Sequence, residues 1–113
     1  MVNGYFTNAG GEFCLDIQGH GNIENIEGLD VMCAAVSTLT NALAINVLSA
    51  HEVGWLEEDP IVYVGDDSEG KARILCKPRP QYYALLKTAY TVICNGLVML
   101  ATLYPEHVGF VRE

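Results

Sequence analysis

Cations are scarce in this chain: six Lys and Arg stand against fourteen Asp and Glu over 113 residues, a formal net charge of −8. Phosphate recognition needs clustered Lys and Arg, so nucleic acid is excluded as a direct partner. Charge of either sign is sparse at 18%, while half the residues are hydrophobic, so the chain is globular rather than disordered. Its length suits one domain over residues 1–113. None of the four cysteines forms a CxxC pair, which excludes a zinc ribbon and a redox dithiol. Cys14, His20, Cys33 and Cys94 lack metal-ligand spacing, so neither a metal nor another cofactor is expected. Met1–Thr7 has neither the basic stretch nor the apolar run of a signal peptide, and the expectation is a cytoplasmic protein with free thiols. Cys14, Cys76 and Cys94 lie in apolar runs and read as small core hydrophobes. Uncharged runs occur at Val31–Ala50 and Thr88–Tyr104. The first is dotted with Ser, Thr and Asn, and the second falls short of the ~20 apolar residues a membrane span needs. Both read as core helices, with no membrane partner.

What is present is well patterned. Val2–Thr7 and Glu12–Gln18 alternate about a turn at Asn8–Gly11 and read as a β-hairpin, with Val2, Phe6, Phe13, Leu15 and Ile17 on its buried face. Val36, Leu39, Leu43 and Val47 fall on one stripe of a helix that starts after Asp30 and reaches about Ala50. A short strand is expected near Val53–Leu56. Ile61–Val64 and Lys71–Lys77 form a second hairpin about Asp66–Gly70. Pro80 opens a second helix and Pro105 ends it. That helix is apolar nearly all round, apart from Thr88, Thr91, Asn95 and Thr102, which predicts cover from the sheet and from a second subunit. Val108–Arg112 supplies a last strand.

One histidine and one cysteine stand out. His20 sits in the glycine-flanked GHG at 19–21, and Cys33 falls thirteen residues later, near the start of the first helix. With Asp30 as N-cap, Cys33 is the third helical residue, close to unpaired N–H groups and the positive end of the helix dipole. That position favours thiolate. Asp30 and Ser37 lie one turn to either side on the same helix edge. Asp30 either orients His20 and stabilises its imidazolium, or caps the helix. The segment Gly19–Gly28, with Gly19, Gly21 and Gly28, has the composition of a lid. A thiolate that attacks a carbonyl and an imidazole that takes and returns the proton are the two parts of a cysteine hydrolase.

GHG at 19–21 followed by GLDVMCAAVSTLTNAL at 28–43 resembles the ribosomal-processing cysteine protease (Prp) family, with its GHA motif and its D-[IV]-[VM]-C-A-A-[VI]-S helix start. LATLYPEHV near the C-terminus is similar to that family's closing helix and final strand. The resemblance implies an α/β domain of the two-layer α+β kind, a mostly antiparallel sheet packed against two long helices. It implies a homodimeric cysteine endopeptidase that removes an N-terminal extension from a large-subunit ribosomal protein, the one numbered twenty-seven, after a motif rich in Leu, Gln and Phe. Phage relatives acting on capsid or scaffold proteins, and a peptide-binding module that does not cut, are the alternative readings. Carried over by position, Cys33 is the nucleophile and His20 the general base and acid, with Asp30 and Ser37 in supporting positions. Gly21 replaces the usual alanine, and NIENIE at 22–27 departs from the family's loop, differences that bear on substrate choice.

Overall fold

The computed structural model describes residues 1–20, 31–65 and 70–113. Five strands and two long helices follow one another as β1 (Val2–Ala9), β2 (Glu12–Gly19), α1 (Val31–Glu52), β3 (Ile61–Val64), β4 (Lys71–Cys76), α2 (Tyr83–Leu103) and β5 (Val108–Arg112). The sheet runs in the order β3-β4-β2-β1-β5. Every pairing is antiparallel except β1 with β5, which is parallel. This is the α+β architecture expected, with both helices packed against one sheet.

The β1–β2 turn forms because Gly10 and Gly11 take φ of +61° and +76°, the left-handed pair that a tight hairpin requires. Alternation then sends Val2, Phe13, Leu15 and Ile17 into the core, with Phe6 partly buried beside them. Tyr90 of α2 is fully buried where that face meets the helices, with Phe13 and Phe6 ring centroids 5.2 and 5.7 Å away. Its hydroxyl donates to the Ile74 carbonyl at 2.9 Å, so the polar tip of the ring is satisfied inside the core.

Helix α1 buries Met32, Val36, Leu43 and Val47, close to the expected stripe, while Leu39 is half-buried against Gly96 of α2. A Cβ at position 96 would stand 3.0 Å from the Leu39 methyls, so glycine lets the helices approach there. The threonines that looked like a polar stripe spend their hydroxyls locally. Thr88, Thr91 and Thr102 each donate to the carbonyl four residues back.

The structure differs from the sequence reading at two helix junctions. Val53–Leu56 is not a strand. Gly54, at φ +78°, turns the chain off α1, the Arg79 side chain donates to the Gly54 carbonyl, and only Leu56 bridges to Pro78. The segment from Pro80 also does not open α2 directly. Pro80–Tyr82 is a 3₁₀ turn, and the α-helix begins at Tyr83. Trp55 stacks on Tyr82 at 4.8 Å and ties these two junctions together.

Each helix covers the sheet with one face only. Both are long and apolar enough to cross a membrane by length and composition, yet only about a third of each apolar stretch is buried within the chain. Leu85, Val92, Met99 and Leu103 on α2, and Ile45 and Leu48 on α1, are exposed.

Candidate functional site

The N-terminus of α1 lies over one end of the sheet, where β2 and β3 finish and β4 begins. Cys33 is the third residue of α1, and His20 is the first residue past β2. The fold brings them together: Cys33 Sγ stands 3.9 Å from His20 Nδ1, and both side chains are half-buried. That is a long sulfur–nitrogen contact, of the loose kind seen between nucleophile and base before substrate binds. The sulfur stands at the N-terminal end of α1, where the positive end of the helix dipole favours negative charge.

A cleft of about 40 Å³ opens beside the sulfur. Ser37, one turn on from Cys33, lines it together with Thr40, Gly19, Val64, Gly65 and Lys71. Thr40 is buried and its hydroxyl donates to the Val36 carbonyl, whereas Ser37 is half-buried at the cleft wall. Asp30, Gly21, Gly28 and the lid assigned to this segment lie outside the described residues. Gly19, the first residue of that segment in the sequence reading, is described. It is the last residue of β2, paired with Val2, and its φ of +101° leaves no room for a side chain against the Met1 carbonyl. Among the described residues, no group of three His, Cys, Asp or Glu side chains could hold a metal ion.

Gly70 supports the histidine and was not singled out from the sequence. Its carbonyl accepts the Gly19 N–H at 2.8 Å, closing the end of β2 onto the start of β4. Its φ is +59°, and a Cβ there would stand 2.6 Å from the Gly19 oxygen and 3.0 Å from His20 Cε1 and Nε2. The imidazole therefore rests on bare backbone. The only signal in the sequence was the glycine ending the DDSEG turn, which reads as turn chemistry and says nothing of a ring above it. Gly70→Ala is expected to slow Cys33-dependent turnover about tenfold or more by displacing His20. Gly10→Ala is the control. It has the same left-handed backbone in open space, so it isolates the backbone strain, about 1 kcal/mol, from the added clash at Gly70, and should show no kinetic loss. Thermal melts beside initial rates separate the two effects.

The other three cysteines are set apart by burial. Cys76 and Cys94 are each pushed up to about 11 by desolvation, and Cys14 is raised by desolvation and then by the charge of Asp16. Their thiolates are scarce at neutral pH, about one part in ten thousand for a thiol of pKa 11. Iodoacetamide at pH 7 is therefore expected to label Cys33 alone in the folded protein. Labelling of Cys76 and Cys94 should grow only as the pH climbs towards 11. Peptide mapping by mass spectrometry checks both statements.

No family profile and no curated protein matches this sequence. Solved structures do match. The S. aureus ribosomal processing protease Prp, in complex with a covalently linked product peptide, superposes with a TM-score of 0.71 at 17% identity, covering all of both chains. The same protease with a substrate peptide gives 0.59 at 16% identity, again over all of both chains. The SMU.848 protein from Streptococcus mutans gives 0.60 at 23% identity, over all of this chain and 96% of the other. Over its whole length, this chain has the fold seen in the Prp protease structures.

Proposed function

We propose that this chain is a cysteine endopeptidase that trims an N-terminal extension from a ribosomal protein. The observation that carries the reading is the 3.9 Å approach of Cys33 Sγ to His20 Nδ1 at the start of a helix, beside an open cleft. In the reaction, His20 takes the Cys33 proton and the thiolate attacks the scissile carbonyl. Backbone N–H groups of the first turn of α1 receive the charge that develops on oxygen. His20 then gives its proton to the departing amine, and water, activated by the same imidazole, hydrolyses the thioester. Ser37 borders the reacting sulfur and helps to shape the cleft.

The substrate we assign is the large-subunit ribosomal protein numbered twenty-seven, cut after its Leu-, Gln- and Phe-rich extension. Two things support a polypeptide substrate. The fold is one in which the S. aureus protease holds a covalently linked product peptide, and this chain's charge of −8 suits a basic partner. Four free cysteines fit a reducing cytoplasm. The unpaired faces of α1 and α2 fit a homodimer, because exposed stripes such as Leu85, Val92, Met99 and Leu103 are costly to leave in water. Sedimentation should give a dimer, and Met99→Lys should shift it towards monomer.

The experiment is mass spectrometry of a peptide spanning the extension and its junction after incubation with the protein. One cut after the Phe-containing motif supports the reading and its specificity together. An uncut peptide with a rapidly alkylated Cys33 keeps the nucleophile and rejects this substrate. An uncut peptide with a sluggish Cys33 rejects the protease.

A further inference from the structure

Strand β3 is at the edge of the sheet formed by the described residues, and its backbone orientation follows from one hydrogen bond. Gly65 donates to the Lys71 carbonyl at 2.9 Å, so these two residues are a hydrogen-bonded pair of the β3–β4 ladder. Antiparallel ladders alternate, so Tyr63 opposite Arg73 and Ile61 opposite Leu75 also turn their backbones towards β4. Val62 and Val64 turn theirs the other way, to the open edge. Their side chains pack inward against the core, while Ile61 and Tyr63 stand on the outer face, 49% and 45% exposed. β3 is IVYV, with no charge and no proline inside it, so it lacks two common devices that block an edge from pairing.

The edge leads to the nucleophile. Val64 and the adjoining Gly65 line the same cleft as Cys33 and Ser37. β5, at the opposite edge of the sheet, contributes nothing to that cleft. Four residues of strand span about 13 Å, enough to hold several residues on one side of a scissile bond.

We propose that the β3 edge is the docking track for the substrate: an extended stretch of the polypeptide pairs with the backbone of Val62 and Val64 and is delivered to Cys33. The inference rests on the protease reading above and adds how the chain is gripped. Main-chain hydrogen bonds supply affinity, and alternate side chains of the bound strand meet the outer face at Ile61 and Tyr63.

The test uses the Cys33→Ala protein, so that peptide stays intact, and the same extension peptide N-methylated at one residue at a time. Affinity is read by fluorescence anisotropy. The expected result is a loss of at least tenfold at every second residue on one side of the scissile bond. Val62→Pro, made in the same protein, should weaken the unmethylated peptide by a similar factor. Proline is compatible there, because the Val62 N–H lies outside the β4 ladder. The methylated series leaves the protein untouched and so decides the question even if the proline variant folds poorly. Uniform affinity across the series, or no binding of the parent peptide, overturns the proposal. So does a Val62→Pro protein that loses self-association and keeps its peptide affinity, which assigns the edge to a second copy. The protease reading fails separately: wild-type protein that binds with alternating sensitivity and never cuts retains the track and loses the catalysis.

Discussion

Cys33→Ser is expected to reduce cleavage of the extension peptide by at least about a thousandfold, with the fold unchanged. The loss corresponds to about 4 kcal/mol of transition-state stabilisation. Serine is close to cysteine in size, so the half-buried site should accept it without a cavity. What disappears is the thiolate, because His20 cannot draw a proton from an alcohol as readily as from a thiol. His20→Ala should cost a comparable factor, since a nucleophile without its base is left largely protonated and the departing amine without its acid. In the proposed mechanism the two residues act as a unit, so the double variant should be little worse than either single one. Additive losses would mean that the 3.9 Å contact is incidental to turnover. Initial rates for the three proteins, with melting temperatures beside them, decide between these outcomes.

The largest effect on stability is expected at Tyr90. Its ring is fully buried between Phe13 and Phe6, under the centre of the sheet. Tyr90→Ala leaves a ring-sized cavity and removes the aromatic pairs, a cost of about 3–5 kcal/mol that is a large part of a small domain's total. Chemical denaturation should show a much lower midpoint, or no cooperative transition at all. Tyr90→Phe separates packing from polarity. It keeps the ring and loses the hydroxyl's contacts, the hydrogen bond to the Ile74 carbonyl and the interaction with the Cys76 thiol. The expected cost is about 1 kcal/mol. A Phe variant as damaged as the Ala variant would show that the hydroxyl, not the ring, anchors α2 to the sheet.

These two predictions draw on different kinds of information. The sequence alone determined the local pieces. Gly10–Gly11 between alternating strands could only be a tight turn, and the spacing of Val36, Leu43 and Val47 wrote a helix face that the structure buries. His20 and Cys33 stood out because few side chains can carry nucleophilic chemistry, and their flanking residues resembled a known motif. Each of these signals lies within a few residues of chain, where backbone geometry and side-chain periodicity act directly.

Tertiary structure decided everything that joins distant residues. Nothing in GHG or in DDSEG says that Gly70 closes onto Gly19 and leaves the floor on which the imidazole rests. The parallel pairing of β1 with β5 joins the two ends of the chain across both helices, and no local pattern encodes it. The expected strand at Val53–Leu56 failed for the same reason: its apolar residues were real, but Gly54 and the Arg79 contact turned that segment into a helix exit. Burial shows the limit most clearly. An apolar pattern states that a face must leave water without stating what covers it. Only the packing reveals that the sheet takes Tyr90 and Leu97 while Val92 and Met99 on the same helix stay outside. The candidate residues were legible because they are residue types, and their meeting was not, because a 3.9 Å distance belongs to the whole fold.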